Sequence, residues 1–435
     1  MHHRSRQCVA VDVRPFLYRM VCIYHQRPET KTVTTLSSTT TTQAGSARLP
    51  LAALLALAMT GFVCIMTETL PAGLLPQMAA GLDISTSLAG QTVTAYAAGS
   101  LLAAIPLTIA TQRWRRRKVL LLTLAGFLVF NSLTALSTNY ALTLLARLLA
   151  GASAGLAWSL LAGYARRMVP VRQQGRAMAV AMVGTPIALS LGVPLGTWLG
   201  GAIGWRSAFA IMSVLSLALI AWVLAKVPDY PGQAGHQRMD LRKVLVTPGV
   251  RRVLGVVIAW MLAHNLLYTY VAPFAALSGQ ARHVDLVLLV FGLAALAGIA
   301  VTSRLVDRHL RAAVLASLAG FALVALLFAG FATLPAVLYG GAAAWGLSFG
   351  GAATLLQTAL ADNAGDGADV ALSMNVVAWN GAIAGGGLLG GVLLDAWGAA
   401  SFAPALVLLL AIGFVTAWCG SAHGFRPGPR HTEGH

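Results

Sequence analysis

From Leu51 to about Gly420, apolar stretches of roughly twenty residues recur, separated by short polar breaks. Each is long enough to cross a hydrocarbon layer of roughly 30 Å as a helix. In lipid every backbone N–H and C=O needs an internal partner, so a helix is the economical spanning form. The pattern predicts spans over 51–75, 88–111, 118–137, 140–165, 176–200 and 205–226, then 250–276, 284–304, 311–331, 335–361, 370–394 and 399–420. The fold class that follows is an all-α membrane protein with twelve transmembrane helices in two pseudo-symmetric six-helix bundles. The polar stretch 227–249, with Pro228, Pro231, Gly232, Gly235 and Pro248, divides a bundle over 50–226 from one over 250–420. Residues 1–49 carry scattered Arg and His and a Thr/Ser run at 34–43, a composition that packs no core, and they read as a disordered head. Residues 421–435 read as a tail.

Composition narrows the picture. Apolar residues make up 57% of the chain and charged residues only 10%, against about 25% charged in an average soluble chain. A soluble enzyme, a disordered protein and a nucleic-acid binder with a polar surface are excluded. The net charge of +17 then needs placing rather than a nucleic-acid partner. Arg113, Arg115, Arg116, Arg117 and Lys118 fall between spans 2 and 3, and Arg166, Arg167, Arg172 and Arg176 between spans 4 and 5. Lys226, Arg238, Arg242, Lys243, Arg251 and Arg252 follow span 6, and Arg304, Arg308 and Arg311 follow span 8. The other face has only Arg206 and Arg282. The positive-inside bias makes the basic face and both termini cytoplasmic, in a cell membrane. The 10–11 connection dissents, with Asp362, Asp366 and Asp369 and no Lys or Arg.

Intramembrane charge carries the candidate chemistry. A charge at the bilayer centre costs from about 3 kcal/mol upward, so Glu68 and Arg147 are expected to face a cavity. A carboxyl in a low-dielectric cavity holds its proton more tightly and can bind and release it as access alternates, while an arginine keeps its charge and supplies a field. Thr60, Cys64, Thr67 and Glu68 share helical spacing and are expected to share a cavity stripe. Span 7 offers Trp260, His264 and Tyr268 one turn apart, with Asn265 beside His264, which is a further proton carrier by its chemistry. Span 10 adds Trp345 and Gln357, span 11 adds Asn375, Trp379 and Asn380, and span 4 adds Trp158. The Gly pairs at 381–391 read as close helix contacts. Four cysteines show no C-x-x-C spacing, no lysine sits in a phosphate-loop motif and no catalytic set appears, so no metal, no cofactor and no enzyme activity are expected. Transport then draws on a gradient.

Several of these segments resemble the Major Facilitator Superfamily, within it the twelve-helix drug:proton antiporters that include sugar, purine-nucleoside and chloramphenicol exporters. The residues are Thr67-Glu68-Thr69-Leu70-Pro71 in span 1, Leu144-Leu145-Ala146-Arg147 with Gly151 and Gly155 in span 4, Gly192-Val193-Pro194-Leu195-Gly196 in span 5, and Gly204-Trp205-Arg206 with Phe209 at the entry into span 6. The 2–3 loop departs from the family pattern: Thr108 stands for the first Gly, Gln112 for the Asp and Arg115 for the second Gly. The resemblance implies alternating access about a cavity lined by spans 1, 4, 7 and 10. It implies proton coupling through Glu68 and Arg147, to which His264 is added by its own chemistry, and substrate contacts from Tyr268, Asn265, Gln357, Asn375, Asn380 and Trp158, beside Thr60 of the span 1 stripe. Gly192, Pro194 and Gly196 become an antiporter motif, and Arg113, Arg116, Arg117, Asp307 and Arg308 a cytoplasmic latch. The expected activity is proton-coupled efflux of a small metabolite or drug by a monomer, whose partners are the solute, protons and the bilayer. A symporter or facilitative importer is the alternative, and a non-transporting receptor a more distant one.

Overall fold

The computed structural model describes residues 49–232 and 241–428; the expected head, Arg238 and the last seven residues lie outside them. Among the described residues ten helices are long and apolar enough to cross a membrane, and one of them, Val284–Phe331, is 48 residues long. It breaks at His309 (φ −135°, ψ 34°), so it is the predicted spans 8 and 9 joined end to end. Predicted span 10 is split by Gly351 into Pro335–Gly350 and Ala352–Ala364. The twelve crossings are thereby all present. We number them α1 Leu51–Leu82, α2 Thr86–Thr111, α3 Arg116–Leu136, α4 Tyr140–Arg167, α5 Val171–Ile203 and α6 Trp205–Lys226. There follow α7 Val250–Thr269, continued by Val271–Ala276, then α8 and α9 as the two arms meeting at His309, α10 as the pair around Gly351, α11 Ala368–Trp397 and α12 Phe402–Trp418.

Helix α1 runs beyond its predicted end, through Pro71 and Pro76, to a left-handed cap at Asp83 (φ 54°). Prolines usually stop a helix by removing a donor. In a membrane bundle neighbouring helices hold the segment in place, and the prolines do not end it. At that end Arg206 donates to Gly81 O at 3.0 Å and Ser137 O at 3.2 Å, tying the ends of α1 and α3 together. One of the two basic residues on that face is therefore spent on helix ends.

The halves repeat in register. At the α2–α4 crossing, a methyl group on Gly99 would strike Leu148 O and one on Gly151 would strike Tyr96 O. At the α8–α10 crossing, Gly298 meets Leu347 O and Gly350 meets Ala295 O in the same way, every residue 199 positions further on. Apolar burial gives little drive inside lipid, so backbone approach at small residues does the packing. The repeat keeps the crossing and changes the chemistry. Gly346 packs on Phe291 O where the first half has Arg147 on Thr92 O.

Helix α5 lies along α1 through its glycines. Gly184 sits on the Ala58 backbone, Gly192 on Phe62 and Met66, Gly196 on Met66 and Leu70, and Gly200 on Leu74. Ahead of Pro194, residues Ala188–Gly192 widen into a π turn, with Val193 N–H donating to Ala188 O. On its other side this turn meets α8, whose Gly292 abuts Leu189 and Ser190. Gly192 and Gly196 of the expected motif thus pack on the α1 segment that flanks Glu68, and the π turn ahead of Pro194 touches the opposite half.

Candidate functional site

The centre of the first half is built around Arg147. Its helix is drawn close to α2 by Gly151 and Gly155, which carries the guanidinium to the α2 backbone. Nε donates to Thr92 O at 3.3 Å and Nη2 to Glu68 O at 3.4 Å. The guanidinium carbon lies 4.9 Å from the Tyr96 ring centre and 5.4 Å from that of Phe209. Arg147 is fully buried, and Nη1 has no protein partner. Among the described residues no ion pair joins the half-buried Glu68 carboxylate to this guanidinium. The arginine instead binds the peptide carbonyl of Glu68, which fixes α1 at that residue and leaves the carboxylate as a separate group.

The stripe expected beside Glu68 divides. Thr67 accepts from Asn131 Nδ2 of α3 at 3.1 Å, the Cys64 carbonyl accepts from the Tyr96 hydroxyl at 2.9 Å, and Thr60 donates to Ala56 O at 2.9 Å. All three are fully buried. Thr60 is spent within its own helix, and Cys64 and Thr67 hold α1 to α2 and α3 inside the first bundle. Spacing groups Glu68 with them, but one residue of helix rotates it by about 100° from Thr67. Tyr96, Thr92 and Asn131 carry no motif that would single them out, since their part is set by packing on Arg147 and α1.

The second half places an aromatic cluster at its centre. His264 stacks on Phe349 with ring centres 3.5 Å apart and planes 6° from parallel. Tyr268, Trp345 and Phe291 surround it at 5.2, 5.3 and 5.8 Å. His264 Nδ1, the Tyr268 hydroxyl and Trp345 Nε1 are buried without a protein hydrogen-bond partner. The Tyr268 hydroxyl reaches toward Thr69 and within electrostatic range of Glu68 on α1, so the cluster faces the first half. Thr69 itself donates to Ile65 O at 2.7 Å.

The other predicted contacts are scattered. Asn265 Nδ2 donates to Met261 O at 2.7 Å and lies under Gly386, at the α7–α11 contact. Asn380 Nδ2 donates to Val376 O of its own helix at 3.0 Å, whereas the Asn375 side-chain oxygen is buried and unpartnered. Trp158 lies against Gly61 of α1, and Gln357 is exposed. Both amides that bond their own helix have spent a donor locally, which spacing could not reveal.

On the face away from the basic loops the halves are joined by a polar knot that the sequence did not signal. The Tyr270 hydroxyl lies 2.8 Å from Gly387 O and 3.2 Å from Ser87 O, within reach of both carbonyls. Gln91 Nε2 reaches Tyr270 at 3.2 Å, and Ser87 donates to Asp395 at 2.6 Å. Gly90, Gly390 and Gly391 leave the room that the tyrosine fills. The Gly run of α11 thus serves closure as well as packing.

On the basic face, the residues after α6 form a strap across the first bundle. Asp229 pairs with Arg115 Nε at 2.5 Å and accepts from Arg117 N–H at 3.1 Å. Arg116 N–H donates to Tyr230 O at 2.8 Å, the Tyr164 hydroxyl to Pro228 O at 2.7 Å and Arg167 to Pro231 O at 2.9 Å. Arg116 also donates to Gln112 O at 2.8 Å, while Arg113, Asp307 and Arg308 are exposed. Partial burial alone would raise the Asp229 carboxyl, but the Arg115 side chain and the Arg117 amide hold it below the ordinary carboxylate range. The strap is therefore fully formed above about pH 4, the unfolded carboxylate value, and is lost only as the pH falls through the lowered folded one. Asp229→Asn is expected to cost at most about 1 kcal/mol, because Arg115 lies exposed at the surface and water screens the half-buried Asp229. A melt at pH 7 checks this, and a loss several times larger would mean that the strap is not a surface pair.

The geometry is that of a membrane carrier built from two six-helix repeats. The chain belongs to the Major Facilitator Superfamily, whose family model matches residues 57–386. It is similar to the purine ribonucleoside efflux pump NepI of Shigella sonnei, with 30% identity over 358 residues, 81% of this chain and 90% of that protein. It is equally similar to the pump of the same name from Salmonella typhimurium, with 30% identity over 373 residues, 85% of this chain and 94% of that one. In fold it matches the crystal structure of the human organic anion transporter MFSD10 (TETRAN), with a TM-score of 0.59 and 18% identity over 85% of this chain and 97% of that one. The protein is a multi-pass membrane transporter.

Proposed function

We propose that the protein exports purine ribonucleosides, or solutes of the same flat and polar kind, across the cell membrane in exchange for protons. The observation that carries the substrate class is the likeness to the nucleoside efflux pumps along nearly their whole length. Proton exchange rests on Glu68, an acidic side chain within a membrane-spanning helix, left without an ion pair by an arginine that binds its carbonyl instead. Protonated Glu68 suits an apolar cavity, and ionised Glu68 suits one open to water. If the two access states differ in this way, proton release and substrate loading are tied to the same change of conformation. In this reading the knot at Tyr270 closes one face, and Arg113 with Asp307 and Arg308 closes the other in turn. Both termini and the strap are cytoplasmic in this reading, because the cationic residues gather there.

Inside-out vesicles from cells producing the protein test the reading. They should accumulate radiolabelled inosine when the lumen is acidified and release it when the pH gradient is collapsed. Accumulation that requires no pH gradient would remove the proton from the account, and absence of inosine transport would remove the substrate class.

A further inference from the structure

We propose that the aromatic cluster of α7, α8 and α10 is a slot for the flat base of the transported nucleoside, and that Phe349 fills this slot when no base is bound. The inference rests on the purine reading above and adds where and how the base is held. Aromatic pairs packed in folded interiors favour edge-to-face or offset arrangements. The His264–Phe349 pair is instead almost parallel at 3.5 Å, the geometry of a stacked base. Around it three buried polar atoms lack protein partners, where such atoms are normally paired. Trp345 Nε1 is a donor, the Tyr268 hydroxyl is both donor and acceptor, and His264 Nδ1 is either, according to tautomer. A purine edge, with ring-nitrogen acceptors and an exocyclic oxo or amino group, matches that set, and an aliphatic solute does not.

Position supports the same assignment. Phe349 is half-buried and sits two residues from the α10 break at Gly351, where the two helical pieces can shift against each other. Tyr268 faces Glu68 and Thr69 across the interface, so a base in the slot directs its ribose hydroxyls toward α1. The repeat accentuates the contrast, because the α8–α10 crossing has Phe291 and Gly346 where the first half has Thr92 and Arg147. One half then holds the charge and the other reads the base.

Inosine binding to the purified full chain, measured by calorimetry, tests this with His264→Leu and Phe349→Leu. Loss of the stacking ring at 264 should weaken inosine roughly two- to tenfold, the range of an aromatic pair. Phe349→Leu should tighten it instead, because the ring that competes for the slot is gone. Size-exclusion profiles establish that each variant is folded. If the His264 variant is not, the sign of the Phe349 effect decides: tighter binding upholds the slot, and weaker or unchanged binding overturns it. Wild-type protein that binds inosine while neither variant shifts the affinity overturns the slot and leaves the substrate reading standing. Wild-type protein that binds no purine nucleoside overturns both.

Discussion

Glu68→Gln is expected to keep inosine exchange and lose accumulation driven by a pH gradient. Glutamine preserves the shape and the hydrogen-bonding edge of the side chain but does not ionise. Arg147 is bound to the carbonyl of residue 68 rather than to its carboxylate, so the substitution leaves the link between α4 and α1 intact. One pH unit supplies about 1.4 kcal/mol per proton, roughly a tenfold concentration ratio. With that drive disconnected, the variant's accumulation ratio should fall to unity, while labelled inosine still exchanges with unlabelled inosine inside. Vesicle uptake with and without a gradient, paired with counterflow, reads both quantities. A Glu68→Gln protein that still concentrates inosine under a gradient removes Glu68 from the coupling role. His264 then becomes the next candidate to test, since stacking on Phe349 occupies its ring face and leaves Nδ1 without a protein partner.

Arg147→Lys is expected to abolish exchange as well as accumulation, an effect at least as large. The guanidinium spans the Thr92 and Glu68 carbonyls and lies between the Tyr96 and Phe209 rings. An ammonium is a point donor without the planar fork, and it sheds its proton when buried. The Glu68 carbonyl or the Thr92 carbonyl then loses its charged donor, a hydrogen bond worth roughly 1.5–3 kcal/mol. Helix α1 is released just where the carboxylate must be presented. Counterflow and a thermal melt distinguish this variant from Glu68→Gln, which should keep both exchange and melting temperature. Full exchange by Arg147→Lys would show that the fork is dispensable.

The twelve crossings and their division were legible because hydrophobic length is a strong signal in a membrane chain, and even the joined α8–α9 helix and the split α10 preserve the predicted spans. Glu68 and Arg147 were legible for a related reason, since charge is rare there and stands out. Spacing could not tell which way Cys64 and Thr67 face, because their partners Tyr96 and Asn131 come from other helices, nor that Thr60 is spent on Ala56 O of its own helix. Nor could it tell that Asn265 and Asn380 spend a donor on their own backbone. The strap shows the same limit from another side. The 2–3 loop has Gln112 where the family has a carboxylate, and the carboxylate that meets Arg115 comes from Asp229, more than a hundred residues later. Local motifs report local chemistry, whereas Asp229 and Tyr270 act through contacts that only the packed helices create.

The coupling itself can be watched from the proton's side. Proteoliposomes are loaded with inosine and a pH-sensitive dye, then diluted into inosine-free buffer at the same pH, with valinomycin and equal potassium on both sides to remove any voltage. As inosine leaves down its gradient, an antiporter must carry protons inward whichever way it is inserted, and the lumen should acidify. The acidification should be absent without inosine and absent in Glu68→Gln. A lumen that becomes alkaline as inosine leaves, or one whose pH does not change while inosine escapes through the protein, would contradict proton-coupled export.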